Sequence, residues 1–310
     1  MLYGRDVLLT ETRGHIFILT MNREERYNAL SIELRERFEE ELERFDEDPN
    51  LWTLILTGAG NKSFCSGMDL KEFSERTARG ESTKLSRKAR KAQAFIPTWK
   101  PLIAAINGYA YAGGWAMAQR CDLRIAAATA TLGVTENRWN LSAAFVGEPQ
   151  LFPTTAVAAE VALMARPITA QRAYEIGFVN KVVPQGELMD EAIRWAEHLC
   201  TLGQEAVRGH KKMLHYGRWA PPNEIAELGD DVFYWMGEGK PGVVVDSTVG
   251  SRAFAEGRSP DFSQMFSPKR LSCSVCGTEY VVTKQGRDRP LLRCHGIDLT
   301  DDSNSVRENR

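Results

Sequence analysis

Two short stretches could do chemistry with backbone atoms alone. "FCSGMDL" (64–70) and "YAGGWAM" (111–117) each put glycine directly after an apolar, strand-like run, and the second opens a helical pattern. Amides at a helix start have no intrahelical partner and can donate to an external oxygen, assisted by the helix dipole. Two such amides converging from different segments would form an oxyanion hole, which stabilises negative charge developing on a carbonyl oxygen. Taken singly, either junction is better explained as a turn that needs positive φ. A third cluster lies near the end of the chain, where Cys273, Cys276, Cys294 and His295 stand in a C-x2-C and Cys-His arrangement. Thiolates and an imidazole at the ends of a hairpin suit tetrahedral zinc, or iron. In the expected hairpin, "TEYVVTK" and "RPLLRC" flank a "QGRD" turn. The alternative is a free-thiol or disulfide hairpin.

The elements that must position these groups alternate along the chain. "HIFILTMN" (15–22) reads as a strand and 31–49 as a helix, with Ser31 as N-cap and Leu34, Phe38, Leu42 and Phe45 along one face. "LWTLILTG" (51–58) is a strand, and strand, helix, strand recurs in 101–111, the helix from Gly113, and 123–127. That alternation predicts α/β layering. Residues 74–92 read as a mobile loop running into a solvated helix, 189–216 as helical, and 243–257 as a further helix.

Composition narrows the class. The 310 residues are 43% hydrophobic and carry a net charge of -2, which gives a large core and no electrostatic footprint for nucleic acid. No apolar segment reads as a signal peptide or membrane span, so a cytoplasmic protein is expected. Cys65, Cys121 and Cys200 are scattered as buried small residues would be in a reducing compartment.

The segments "MNREERYNALS", "LILTGAGNKSFCSGMDLKEF", "LIAAINGYAYAGGWAMAQRCDLRIAA", "LGVTENRWNLS" and "ARPITAQRAYEIGFVNKVVP" occur in the order of the crotonase (enoyl-CoA hydratase/isomerase) superfamily, and the chain resembles that family over about residues 5–262. The resemblance implies an α/β spiral of ββα turns (1–200) and a C-terminal helical region (201–268) that builds homotrimers or hexamers. A metal-binding module (269–300) and a disordered tail (301–310) follow the family region. The module resembles a desulforedoxin-like knuckle with His295 in place of the last cysteine, and zinc is expected to be structural there. It is also a candidate docking point for a protein partner.

For the family region the resemblance implies an acyl-CoA substrate and no further cofactor for the chemistry. The Met68 and Gly113 amides would hold the thioester oxygen, and Tyr27, Asp69, Leu70, Lys71, Gly114, Trp115 and Trp139 would line the substrate site. Of the two glutamates that flank a water in the family's hydratases, the first aligns with Ala116 and the second with Glu136. Glu136 lies in a mostly uncharged stretch, where burial would raise its pKa toward a useful range. One carboxylate favours isomerisation by proton shuttling. Trp115, Trp139 and Phe145 suggest a bulky, dry pocket, with Glu148 as a possible replacement acid. Hydration or dehydration comes next, then thioester hydrolysis or decarboxylation, then non-catalytic acyl-CoA binding.

Overall fold

A computed structural model describes residues 6–81, 98–147, 154–217, 221, 224–227, 229 and 246–262, together with strand segments 269–272, 279–282, 293–294, 297–298 and 300–301. Two compact units divide at Phe262 and Ser263.

In the first unit, β1 (Leu8–Arg13) and β2 (Ile16–Met21) form an antiparallel hairpin across Gly14, whose φ of +56° suits glycine. Helix α1 (Ile32–Glu47) follows. Ser31 caps it by accepting from the Leu34 amide at 3.1 Å, and Leu34, Phe38, Leu42 and Phe45 are buried along one side, as their spacing predicts. Then come β3 (Thr53–Gly58), β4 (Ser63–Cys65) and α2 (Leu70–Ala78); β5 (Leu102–Ile106), β6 (Tyr109–Tyr111) and α3 (Gly113–Arg120); β7 (Leu123–Ala127) and β8 (Thr131–Gly133). Helix α4 (Thr155–Met164), β9 (Ile168–Thr169), α5 (Ala170–Glu175), β10 (Lys181–Val183), α6 (Leu188–Cys200), α7 (Gln204–Tyr216) and α8 (Asp246–Ala255) complete the unit.

The strands deal alternately into two sheets, a six-stranded one in the order β1-β2-β3-β5-β7-β10 and a four-stranded one in the order β4-β6-β8-β9. Each pass gives one strand to each sheet and then a helix or turn, which is the ββα spiral. The core lies between α1, α6 and the six-stranded sheet, whose inner strands β3 and β5 are buried throughout. Both-face burial explains why they read as unbroken apolar runs.

One expected strand, 101–111, is in fact two strands in different sheets. The chain turns at Asn107-Gly108. Asn107 Nδ2 donates to the carbonyls of Gly58 and Gly60, both at 2.7 Å, and a Cβ on Gly108 would lie 2.2 Å from the Lys62 carbonyl oxygen. The strand-like pattern runs across the corner because the tyrosines of the partly buried β6 are as β-prone as the buried residues of β5. Likewise 189–216 is two helices, separated at 201–203. Helix α2 takes up the start of 74–92; residues 82–97 fall outside the described set.

In the second unit, β11 (Lys269–Ser272) pairs antiparallel with β12 (Glu279–Val282), β13 (Arg293–Cys294) pairs with β14 (Ile297–Asp298), and β15 (Thr300–Asp301) joins β11. This corrects the expected hairpin: β12 pairs with β11, and the Cys294 strand pairs with β14. Cys273 and Cys276 fall in the connection between β11 and β12; they and His295 lie outside the described residues. Asp301, expected in a disordered tail, is paired in β15. No helix among the described residues is long and apolar enough to cross a membrane.

Candidate active site

Three neighbouring parallel strands end at the same edge. Cys65 of β4 pairs with Ala110 of β6, and Tyr111 of β6 pairs with Gly133 of β8. Met68, Gly113 and Glu136 each follow one of these strand ends within three residues. Parallel pairing therefore gathers three positions that are far apart in sequence at the carboxyl end of one sheet, where α/β folds bind ligands.

Backbone contacts bring the first two segments together. The Leu30 amide donates to Gly67 O at 2.8 Å and the Asp69 amide donates to Leu30 O at 3.2 Å. This parallel bridge turns the Met68 N–H away from Leu30, and among the described residues it has no acceptor. Gly67 has φ +94°, and a Cβ there would lie 2.7 Å from Ala112 Cβ and 3.1 Å from the Gly113 nitrogen. Ala112, with φ 52° and ψ -118°, is strained for a residue bearing a side chain; its amide is held by Gly133 O at 2.9 Å. Helix α3 makes its first internal bond from the Ala116 amide to Ala112 O, at 3.1 Å, so the Gly113 N–H is left over. Gly114 has a different duty from the one expected. A Cβ there would stand 2.0 Å from Cys65 O, so this glycine lets α3 lie against β4.

Glu136 starts a 3-10 turn, Glu136–Trp139. Its Oε2 is shielded from solvent and has no hydrogen-bond partner. Burial raises its pKa above the ordinary value near 4.5, opposed by the backbone amides of Glu136 and Thr135. Ala116 lies one turn after Gly113 on the open side of α3, with a methyl group where a second acid would stand. Glu148 lies outside the described residues. Cys65, close to Met68 in the chain, is no nucleophile: burial pushes its thiol up to about 12.

The remaining expected residues divide. Trp115 is wholly buried, stacks on Phe178 with ring centroids 3.9 Å apart and donates from Nε1 to Gln119 at 2.9 Å. It belongs to the core and not to a substrate pocket, because it shares the inner side of α3 with Gly114, Ala118 and Gln119. Trp139 is 65% exposed, so neither tryptophan makes a dry enclosure. Asp69 is buried and committed to structure, capping α2 through the Glu72 amide at 3.1 Å and pairing with Arg23 at 2.8 Å. Burial would raise its pKa, but that amide and Arg23 outweigh burial and hold it low. Tyr27, Leu70 and Lys71 remain exposed near these segments. Sequence reading missed Arg23 and Asn28. Asn28, with φ 52°, donates to Ser63 O at 2.7 Å and to Ala59 O at 3.1 Å, fastening the 22–30 loop to the start of β4.

A ββα spiral thus brings two turn amides without acceptors among the described residues and a carboxylate with one unpartnered oxygen to one strand edge, a set suited to hold a carbonyl oxygen and move a proton. Residues 11–265 match the enoyl-CoA hydratase/isomerase family, and the chain belongs to that family of acyl-CoA enzymes. It is 34% identical to enoyl-CoA hydratase EchA19 of Mycobacterium tuberculosis, over 84% of this chain and 97% of that one. It is 35% identical to (E)-benzylidenesuccinyl-CoA hydratase of Thauera aromatica, over 81% of this chain and 97% of that one. The crystal structure of enoyl-CoA hydratase EchA1 from Mycobacterium marinum superposes with a TM-score of 0.73 at 33% identity, covering 82% of this chain and 98% of that one.

The raised Glu136 pKa has a consequence for stability. Folding penalises the ionised form, so a carboxyl here costs stability above its unfolded pKa, near 4.5, and costs nothing below it. Glu136→Gln should therefore melt above the wild type at about pH 7.5, and the gap should close as pH falls to 4.5. Thermal denaturation across that range checks this; a variant less stable at neutral pH contradicts it.

Proposed function

We propose that the chain isomerises an enoyl-CoA, with Glu136 as its one acid-base group. The observation that carries this reading is a shielded carboxylate oxygen, Glu136 Oε2, without a hydrogen-bond partner, while Ala116 supplies no second acid. Starting from a 3-enoyl thioester, Glu136 takes a proton from C2. The C3–C4 electron pair and the new carbanion delocalise into a dienolate whose charge settles on the thioester oxygen. The Met68 and Gly113 amides donate to that oxygen. Preorganised dipoles of this kind lower the barrier at little reorganisation cost. Protonated Glu136 then delivers the proton to C4, giving the 2-enoyl thioester and restoring the carboxylate. A pKa raised by burial suits a group that must be base and then acid. The exposed Tyr27, Leu70 and Lys71 are proposed to flank the CoA portion.

Hydration is the second reading. The relatives cited above carry hydratase names, and with Trp115 in the core and Trp139 exposed, neither indole bars water. One experiment separates the two. Enoyl-CoA substrates are incubated in H2O and D2O and the products weighed by mass spectrometry. Isomerisation incorporates deuterium without adding the mass of a water; hydration adds it. In either case Glu136→Gln should lower turnover about a hundredfold or more with CoA binding retained. Full activity in that variant would remove Glu136 from the mechanism.

Two further features belong to this reading. Leu163 (72% exposed) and Met164 on α4 leave an apolar surface that supports assembly into homotrimers or hexamers. The C-terminal unit is proposed to hold one structural zinc through Cys273, Cys276, Cys294 and His295. Support comes from the C-x2-C placed in a connection between paired strands and from a small strand set with little core to stabilise it. Elemental analysis should find about one zinc per chain. Truncation after Pro268 should remove the metal and spare turnover; a metal content near zero ends the proposal.

A further inference from the structure

An open groove of about 260 Å³ runs between the start of α1 and α2. Leu30, Ile32, Met68 and Phe73 supply its apolar wall. It borders both oxyanion segments. Met68 carries one donor amide, and the Leu30 Cδ1 atom lies 3.0 Å from where a Cβ on Gly113 would be, in contact with the other.

Four charged residues also line the groove, and three of them are engaged. Asp69 pairs with Arg23 at 2.8 Å, Glu72 accepts from the Ile32 amide at 3.1 Å, and Arg76 lies 3.5 Å from Glu81. Arg35 is different. Among the described residues its side chain has no hydrogen bond and no ion pair, and its Nε is shielded from solvent. Burial pulls its pKa down, only partly offset by the negative charge of Glu72. It also sits just inside the N-terminal end of α1, where the helix dipole disfavours a cation. Guanidinium does not give up its proton, so a half-buried and unpaired Arg35 is costly as it stands. A bound anion would relieve the burial cost and supply the missing acceptor, and it would be favoured by the dipole as well. An anion binding in this way would find a planar, two-donor partner suited to carboxylate.

Resting on the acyl-CoA reading above, we propose that this groove seats the far end of the acyl group and that Arg35 binds a carboxylate there. The substrates are then short-chain enoyl-CoA thioesters of dicarboxylic acids.

The test uses the full chain and unreactive saturated thioesters. Affinities for adipoyl-CoA, hexanoyl-CoA and free CoA are measured by calorimetry on the wild type, Arg35→Met and Arg35→Lys. The wild type should bind adipoyl-CoA at least about tenfold more tightly than hexanoyl-CoA, the range of one charge-assisted hydrogen bond. Arg35→Met should collapse that ratio to near one, and Arg35→Lys should restore part of it. If Arg35→Met fails to fold, the lysine variant and the wild-type ratio still decide. Equal wild-type affinity for the two thioesters overturns the proposal. So does an Arg35→Met loss shared equally by free CoA, which would give Arg35 to the CoA phosphates. If the wild type binds neither thioester nor CoA, the acyl-CoA reading itself fails.

Discussion

The site depends on one close backbone approach, where Gly67 meets Ala112 and Gly113. A methyl group at Gly67 would come within 2.7 Å of Ala112 Cβ, and one at Gly114 within 2.0 Å of Cys65 O. Only glycines allow the Met68 turn and the first turn of α3 to sit side by side. The proposed oxyanion donors are main-chain amides, so their positions follow from strand pairing and helix placement, with no side-chain rotamer involved. Pairing of β4, β6 and β8 sets the distances along the edge, and the Ala112 amide bound to Gly133 O ties the α3 start to the strand that leads to Glu136.

Several costly features gather around this edge. Ala112 holds a conformation that residues with a Cβ rarely adopt, the Met68 and Gly113 amides lack acceptors, Glu136 keeps a shielded oxygen without a donor, and Arg35 keeps an unpaired guanidinium. Each carries a cost, and each would be relieved by the proposed acyl thioester, with its carbonyl at the amides, a proton at Glu136 and an anion at Arg35. Two asparagines beside the site are fully engaged: Asn107 bridges β3 and the turn after it, and Asn28 fastens a loop to β4. The buried inner strands of the six-stranded sheet supply the stability that offsets the strained edge.

How far the sequence could be read depended on whether a residue's neighbours along the chain are also its neighbours in space. Helix α1 was legible because Ser31 and the apolar spacing are local signals. The split of 101–111 was not, since the β-prone tyrosines of the partly buried β6 continue the pattern of β5; Asn107-Gly108 was the available clue. The proposed amide donors were legible through glycines whose need is local, but Trp115 was misassigned because it follows them in sequence while pointing to the opposite side of α3. Arg35 was overlooked within "ELRERFEEELER", where one more charge reads as solvated surface and only the packing of α2 reveals its burial.

The central claim is that main-chain amides polarise the thioester. Isotope-edited infrared spectroscopy of hexanoyl-CoA labelled with carbon-13 at its carbonyl tests it directly. Bound to the wild type, the carbonyl stretch should move to lower wavenumber than in water, and the shift should persist in Glu136→Gln, because the donors are backbone. A carbonyl band that stays at its aqueous position in the saturated complex would contradict the account.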